Sequence, residues 1–288
     1  MTALIAYCIS LLARRLSTAT SAQKLGQLEP AVKHRTLSYL DFKGRDLFIV
    51  GDVHGCFDEA MELIDIVKKK NNKKFVTIFV GDMVNKGPKN IEMLDFIMKN
   101  KDIHCIRGNH EQAVLRSALK YRSGEKESNP KWANSWAKHL SNGQFEFLRN
   151  LPYTISIPIL SIIIVHGGLH PHYPLNLQDE HNMLHMRSLS WVKDDFHGQK
   201  LVATSRHEGT LWAQCWQGTE HVYFGHDAIK KLQIESNCTG LDTGCLYGGK
   251  LTGVLLKIPE NITAPLRHFD LPREFYSVDA KEAYIPVD

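Results

Sequence analysis

Metal-capable side chains follow short apolar runs in this sequence. The first case is Gly51-Asp52-Val53-His54-Gly55, which comes directly after the apolar residues 47–50. A carboxylate and an imidazole two residues apart are a ligand pair for a hard or borderline divalent cation. If the apolar run is a buried strand, the pair lies at the sheet edge where α/β proteins bind ligands. Taken alone, the pair could equally be a capped turn.

The same layout occurs four more times along the chain. Apolar runs at 75–80, 103–106, 162–165 and 222–224 end at Gly81-Asp82, Gly108-Asn109-His110, His166-Gly167-Gly168 and Gly225-His226-Asp227. The alternative, that these residues only cap turns at strand ends, would have to hold five times over. We therefore interpret the five blocks as one site.

Six of these side chains offer oxygen or nitrogen donors, and none offers a thiolate. They are Asp52, His54, Asp82, Asn109, His166 and His226. This set suits two catalytic ions, Mn²⁺ above all or else Fe²⁺ or Zn²⁺, better than a structural zinc site. Six ligands are too many for one open catalytic metal, so we expect two ions sharing a bridging carboxylate. Such a pair lowers the pKa of a bridging water and promotes in-line attack on phosphorus.

Further residues near the blocks are candidates for catalysis and substrate binding. His110 follows a predicted ligand and could protonate a leaving oxygen. Arg107, Lys86 and Arg187 are candidate phosphate contacts, because arginine grips phosphate bidentately and lysine acts as a point charge. For Arg187, a structural ion pair is an equal alternative.

The elements that position these residues can be predicted from periodicity. The spacing from Asp52 to Asp82 and on to Asn109 is about 30 residues, which matches βαβ units with parallel strands. The predicted helices span 57–70, 90–99 and 111–121. Residues 122–151 form a loop and a small helical cap, 153–157 and 161–165 a hairpin, 171–217 substrate-side loops and short helices, and 222–258 further strands.

Composition sets limits on the function. With 288 residues, 43% hydrophobic and 23% charged, and a net charge of +4, the chain is typical of a globular protein without a dedicated nucleic-acid groove. Its six cysteines show no paired spacing and are expected to be reduced. We expect a leader or tail at 1–40, a catalytic domain at 41–258 and a C-terminal tail at 259–288.

The N-terminal region carries a separate prediction about location. Its first acidic residue is Glu29, and an apolar run at 3–13 is followed by two arginines and a Ser/Thr-rich stretch. The run is too short to span a bilayer, and the composition is that of a mitochondrial transit peptide. A loosely docked tail is an equal alternative, so we expect the protein in the mitochondria or the cytoplasm.

Taken together, the five blocks resemble the ordered signature of PPP-type metallophosphoesterases over residues 46–258. This resemblance implies a calcineurin-like α/β/β/α sandwich. It assigns Asp52, His54 and Asp82 to one metal ion and Asp82, Asn109, His166 and His226 to the other. It also implies that His110 is the proton donor.

Within that superfamily the chain is most similar to ApaH-like phosphatases, relatives of the bacterial symmetrical dinucleoside tetraphosphatase. The matching features are Lys86-Gly87-Pro88, Gly225-His226-Asp227-Ala228 and the stretch 240–251. Asn85 departs from the protein-phosphatase pattern, in which an aspartate orients the catalytic histidine. An amide can hydrogen-bond the imidazole but cannot stabilise its cation as a carboxylate would.

The leading hypothesis is a two-metal hydrolase of phosphoanhydride bonds in dinucleoside polyphosphates or cap-like nucleotides, capped RNA included. The alternative is a Ser/Thr protein phosphatase acting on a phosphoprotein. A non-catalytic binding module is a third hypothesis, which the complete ligand set disfavours.

Overall fold

The computed structural model describes residues 28–125, 134–194 and 198–286. The predicted transit peptide therefore lies outside the described residues, as does part of the predicted cap. In the described part of the chain, no helix is long and apolar enough to cross a membrane.

Strands and short helices alternate along the first half of the described chain, and strands dominate the second half. The strands are β1 His34–Thr36, β2 Asp46–Val50, β3 Phe75–Phe79, β4 Ile103–Cys105, β5 Thr154–Ile157, β6 Ile162–Val165, β7 Ser188–Asp194, β8 Gly198–Thr204, β9 Thr210–Leu211, β10 His221–Phe224, β11 Gln233–Ile234, β12 Cys238–Gly240, β13 Lys250–Leu256 and β14 Arg273–Asp279. The helices are α1 Phe57–Lys70, α2 Asn90–Lys99, α3 Asn109–Arg122, α4 Asn142–Arg149, α5 Glu180–His185 and α6 Trp212–Cys215, with 3₁₀ turns at Tyr39–Asp41, Ser135–His139, Pro158–Leu160, Leu175–Leu177 and His268–Asp270.

Two mixed sheets form the centre of the described domain. One has the strand order β1-β5-β6-β10-β12-β11, and the other has the order β14-β13-β2-β3-β4. Strands β2, β3 and β4 are parallel neighbours, as the 30-residue spacing predicts. Strands β5 and β6 pair antiparallel, which is the predicted hairpin.

The apolar runs explain how the sheets pack. Every residue of β2 and of β6 is buried, as expected for strands covered on both faces. Residues of both sheets, among them Ile49, Ile78 and Ile164, meet in one core cluster between them. Helices α1 to α4 cover the outer face of the β2 sheet, and α5 and α6 cover that of the β6 sheet. This layering confirms the predicted α/β/β/α sandwich.

The structure differs from the sequence prediction in three segments. Part of the region predicted as loops and short helices, 171–217, forms a third, antiparallel sheet in the order β8-β7-β9. The region predicted as a C-terminal tail contributes β14, which pairs with β13 over seven residues. The described end of the predicted leader contributes β1, which pairs with β5. Buried Leu28 and Leu37 anchor this segment to the domain.

Candidate metal centre and active site

The predicted ligands meet at one edge of the two sheets. Asp52, Asp82 and Asn109 follow β2, β3 and β4, while His166 and His226 follow β6 and β10 of the other sheet. Since these strands end at the same edge, residues up to 174 positions apart in the chain come into hydrogen-bond contact.

Three of the predicted ligands have strained backbones. The φ angles of His54, Asp82 and His226 are +51°, +49° and +70°, values that residues other than glycine rarely adopt. Such strain persists only where the surrounding structure holds it, and it concentrates at functional sites.

Two glycines of the motifs make room for the carboxylates. A Cβ atom on Gly225 would lie 2.0 Å from an oxygen of Asp52, and one on Gly108 would lie 2.1 Å from an oxygen of Asp82. No side chain fits at either position. The repeated glycine therefore serves close packing around the carboxylates.

Donor atoms of predicted ligands lie in two clusters, the first of which also includes His110, the predicted proton donor, which is half-buried. His54, Asp82 and His110 place one donor atom each within 4.8 Å of one another, and so do Asp82, His166 and His226. Asp82 belongs to both clusters and would supply the carboxylate shared by two bound ions. Asp52 lies beside the first cluster, with one carboxylate oxygen 4.0 Å from Nε2 of His54.

The hydrogen bonds of His166 place the lone pair of one ring nitrogen opposite oxygen atoms that are themselves acceptors. Its Nδ1 lies 3.0 Å from the carbonyl of Val80, which only accepts, so this nitrogen carries a proton. In the neutral ring, Nε2 then presents its lone pair to Oδ1 of Asn109 at 2.8 Å and to a carboxylate oxygen of Asp82 at 3.3 Å. Either a proton or a metal ion must separate these acceptors.

His226 repeats this arrangement in the opposite orientation. Its Nε2 lies 3.1 Å from the carbonyl of His185, so Nδ1 of the neutral ring presents its lone pair to Oδ1 of Asn109 at 3.0 Å. One amide oxygen thus faces two imidazole nitrogens. This donor set fits a divalent cation, and the carbonyl partners of the two rings are the outer contacts that fix metal-binding imidazoles.

Burial and neighbouring charges set the pKa values of the cluster. Burial raises the pKa of Asp52 well above its usual value, and Asp242 and Asp82 raise it further. Burial also acts to raise the pKa of Asp82, but His166 and His110 outweigh it and hold that pKa well below its usual value. For His54, burial lowers the pKa to about 3. Burial acts to lower the pKa of His166, but the neighbouring Asp82 outweighs it and raises that pKa. Buried carboxyl groups and imidazoles are thus crowded together, and a cation bound among them would stabilise the carboxylates.

His110, the predicted proton donor, contacts the predicted partner Asn85. Nδ1 of His110 lies 2.9 Å from Nδ2 of Asn85. The indole N–H of Trp136 donates to Oδ1 of Asn85 at 3.3 Å. Because an indole only donates, it turns the amide oxygen towards Trp136 and the amide N–H₂ towards His110. Nδ1 of His110 is then an acceptor, and the proton of the neutral ring is on Nε2.

Two of the three predicted phosphate contacts line a cavity above the clusters. This cavity of about 600 Å³ contains Lys86 and Arg187 together with His54, Asp82, Asn109, His110 and His226. Nζ of Lys86 lies 3.3 Å from the hydroxyl of Tyr247. Arg187 donates to the carbonyls of Ser205 and His226 at 2.8 and 3.1 Å, and its Nε lies 4.0 Å from Asp227. Its present contacts are structural, and its phosphate contact stays a prediction.

Arg107 does not lie where a phosphate contact requires, so that prediction is corrected. Its side chain is completely buried. The guanidinium donates to the carbonyls of Leu28 and Arg149 and to the side chain of Gln112. Both terminal nitrogens of the guanidinium thus have partners from Leu28, from α3 and from the end of α4, while its Nε has no hydrogen-bond partner among the described residues. Arg107 is a structural residue.

Several residues of the site carry no role in the sequence prediction. The buried carboxylate of Glu111 accepts from the backbone N–H groups of Asp82, Val84 and Gly108, which fixes the turn that carries Asp82. Asp242 lines the cavity, and burial raises its pKa to about 6. Asp242 belongs to the matching stretch 240–251 and Glu111 directly follows the block Gly108-Asn109-His110, so their positions beside these motifs could have indicated a role. The sequence gives no sign of a functional role for Trp136, since tryptophans in an insertion more often pack in a core.

Comparisons with known proteins identify the family of this chain. A profile of the calcineurin-like phosphoesterase family matches residues 46–274. The chain is 27% identical over 270 residues to a symmetrical bis(5'-nucleosyl)-tetraphosphatase of Coxiella burnetii, covering 77% of this chain and 92% of the relative. It is 26% identical over 244 residues to the asymmetrical bis(5'-nucleosyl)-tetraphosphatase PrpE of Halalkalibacterium halodurans, covering 76% and 93%.

A solved structure shows the same likeness in three dimensions. The crystal structure of a candidate diadenosine tetraphosphatase superposes with a TM-score of 0.68 at 28% identity, covering 86% of this chain and 98% of the other. Calcineurin-like phosphoesterases typically bind two metal ions, in keeping with the two buried His/Asp clusters. The family match, the shared fold and these clusters lead to one conclusion: the chain belongs to the calcineurin-like phosphoesterase family of hydrolases and is related to the bis(5'-nucleosyl)-tetraphosphatases.

Proposed function

We propose that this metallophosphoesterase hydrolyses phosphoanhydride bonds in nucleoside polyphosphates, with dinucleoside tetraphosphates as the leading substrates. The names of its relatives support this class of substrate. The observation that carries the proposal is the hydrogen bond from the Asn85 amide to Nδ1 of His110. It concerns the leaving group and does not depend on the relatives.

The polarity of that hydrogen bond limits His110 as an acid. An amide N–H₂ that donates to Nδ1 opposes a second proton on the ring, whereas a carboxylate there would favour one. Burial acts in the same direction and lowers the pKa of His110 to about 4. His110 therefore meets the leaving oxygen with a neutral Nε2–H, which supplies a hydrogen bond but little acid strength.

A phosphoanhydride tolerates a weak acid better than a phosphoester does. Its leaving group is a phosphate that is stable as an anion near neutral pH. The leaving group of a serine or threonine phosphoester is an alkoxide, which needs a full proton in the transition state. The Asn85–His110 contact thus favours the polyphosphate over the phosphoprotein.

The remaining residues of the site fit this reaction. Asp52, His54, Asp82, Asn109, His166 and His226 would hold the two ions, for which we propose Mn²⁺ because the donors are oxygen and nitrogen. Ions bound there activate water and neutralise phosphate charge. Lys86 contributes a further positive charge to the cavity, and Glu111 holds the turn of Asp82 in place.

A comparison of substrates tests the proposal. Protein stripped of metal and reloaded with Mn²⁺ is given diadenosine tetraphosphate, a capped RNA and a phosphothreonine peptide, with Asp82→Asn as the inactive control. We expect cleavage of the dinucleotide into mononucleotides and no phosphate release from the peptide. Peptide dephosphorylation without cleavage of either nucleotide substrate would contradict the proposal and favour a protein phosphatase.

A further inference from the structure

The cavity above the metal clusters has an outer wall of a different character from its floor. The floor consists of charged and imidazole side chains, whereas the wall includes Ile229 and Tyr247. Ile229 follows the His226 motif, and Tyr247 belongs to the stretch after Asp242. Both wall segments therefore start at residues of the site and extend outwards.

Ile229 is an exposed residue of the cavity that holds the metal-ligand clusters, with 69% of its surface accessible. Single exposed apolar residues are common on protein surfaces and carry no weight alone. Here the exposed side chain shares a cavity with an aromatic ring, in a volume typical of small-molecule sites. An apolar wall over an ionic floor matches a ligand with a charged end and a flat apolar end.

Backbone hydrogen bonds and a β-bridge fix the loop that carries Tyr247. Its N–H donates to the carbonyl of Gly244 at 3.0 Å, and it forms an antiparallel bridge with Ala283. The N–H of Tyr284 donates to the carbonyl of Leu246 at 3.0 Å. The C-terminal segment thus fixes the loop that carries the ring, so the ring needs little ordering when a ligand binds.

Lys86 connects the metal clusters with this wall. Its positive charge acts on His54 and His110, whose pKa values it helps to lower after the larger effect of burial. Its ammonium also reaches the hydroxyl of Tyr247 at 3.3 Å and lies 5.8 Å from the centre of the ring. Moving out from the metal clusters, a ligand meets divalent-ion ligands, then a lysine, then an aromatic ring. Lys231, from the Ile229 turn, adds a third positive side chain to the cavity, beside Lys86 and Arg187.

We propose that Tyr247 and Ile229 form a nucleobase subsite, in which the base packs on the tyrosine ring while Lys86 and Lys231 contact the phosphate chain. This inference rests on the proposed function, because it assigns the nucleoside of that substrate to a particular wall of the cavity. Base–aromatic stacking of this kind changes affinity by about 10- to 100-fold.

Competition between two inhibitors that differ by the nucleoside tests the subsite. The turnover of p-nitrophenyl phosphate by the Mn²⁺-loaded protein is inhibited with ADP or with pyrophosphate at constant free Mn²⁺. In the unaltered protein we expect the inhibition constant of ADP to be at least about 10-fold lower than that of pyrophosphate. We expect Tyr247→Ala to remove most of this preference and Tyr247→Phe to keep it within about threefold, since the ring remains.

Matched isoleucines provide the control. Ile229→Ala should raise the inhibition constant of ADP several-fold more than that of pyrophosphate. Ile234 of β11 is similarly exposed, with 59% of its surface accessible. Ile234→Ala should leave both inhibition constants unchanged. Because both side chains are exposed, loss of folding cannot explain a difference between these variants.

Two outcomes would overturn the subsite. If Tyr247→Ala raises the inhibition constants of ADP and pyrophosphate equally, Tyr247 acts only by positioning Lys86. If no variant alters either constant, the wall does not contact the nucleoside. Neither outcome depends on dinucleotide turnover, so failure of the unaltered protein to cleave diadenosine tetraphosphate would instead contradict the proposed function.

Discussion

At the scale of single residues, the proposed function depends on which nitrogen of each imidazole donates a hydrogen bond and which one accepts. Two imidazoles, His166 and His226, each donate to a backbone carbonyl and turn their other nitrogen towards Asn109. A third, His110, accepts from an amide. These partners support the proposed roles, metal ligands for the first two and a donor at Nε2 for the third. The same side-chain type thus has two roles, assigned by its partners.

The amide at position 85 yields a prediction about substrate preference. In Asn85→Asp, a carboxylate would accept a hydrogen bond from Nδ1–H of His110 and favour the imidazolium. We expect kcat/KM for a phosphothreonine peptide to rise relative to that for diadenosine tetraphosphate by about 10-fold or more, a modest share of what general acid catalysis contributes. Steady-state kinetics on both substrates measures the ratio. An unchanged ratio would show that the acid strength of His110 does not decide the substrate.

At the scale of elements, the insertion between α3 and β5 reaches into the active site. The 3₁₀ turn Ser135–His139 packs on α3 and brings the indole of Trp136 to Asn85. We therefore propose that this segment helps to orient the predicted proton donor through Asn85, with Trp136 as a positioning residue.

Removing the indole N–H tests this contact. Trp136→Phe keeps an aromatic ring but frees the Asn85 amide to turn over, which would allow the other tautomer of His110. We expect kcat for diadenosine tetraphosphate to fall several-fold with little change in KM, because substrate binding is not affected. Trp216→Phe, which removes an indole bond to the carbonyl of Glu220, is the matched control and should leave kcat unchanged. Equal effects of the two changes would argue against a positioning role.

Arg107 connects elements without contacting the cavity. Its guanidinium donates to the carbonyls of Leu28 and of Arg149 at the end of α4. Arg107→Ala would leave buried acceptors unpaired and should lower the free energy of unfolding by about 3 kcal/mol. Arg206→Ala, at an exposed arginine with only a surface ion pair, should change it by less than about 1 kcal/mol. Urea denaturation compares the two, and a fully stable Arg107→Ala protein would reopen a substrate role.

At the scale of the whole molecule, a buried histidine pair makes stability depend on pH. His268 stacks on His221 with 3.6 Å between ring centres, and its Nε2 lies 2.7 Å from the hydroxyl of Tyr223. Burial lowers the pKa of His268 to about 4 and that of His221 to about 2, from 6.5 in the unfolded chain. The folded state therefore holds both rings neutral.

The sign of the resulting pH dependence follows from linkage. Above pH about 6.5, both states are neutral and the stability contribution is complete. As the pH falls from about 6.5 to about 4, the unfolded chain takes up protons first, so the free energy of unfolding decreases. In metal-stripped protein, His268→Gln should make this decrease shallower, by up to about 1.4 kcal/mol for each pH unit. The exposed His139→Gln is the control, and denaturation curves at several pH values would show parallel slopes if the prediction is wrong.

The sequence predicted those parts of the molecule that local pattern determines. Apolar runs followed by glycine and a metal-capable residue identified β2, β3, β4, β6 and β10 and the residues at their ends. The third sheet was missed because β7 has buried residues only at its start. β14 was missed because it is an edge strand with mostly exposed residues.

In the site, too, residues marked by a local pattern could be predicted, and residues that depend on distant contacts could not. Asp82 and His166 could be found because their neighbours in the sequence mark a strand end. Arg107 was misjudged because its partners are carbonyls of Leu28 and Arg149, which only the folded chain brings near. The role of Trp136 depends on a contact across 51 positions that no local pattern encodes.

The most direct test of the account is the dependence of dinucleotide hydrolysis on bound metal. Metal-stripped protein is titrated with Mn²⁺ while bound ions per chain and the rate of diadenosine tetraphosphate cleavage are measured together. We expect no cleavage without metal, full activity near two bound ions per chain, and loss of both binding and activity in Asp82→Asn, since Asp82 belongs to both clusters. Full activity of the stripped protein, or two bound ions without any cleavage, would contradict the account.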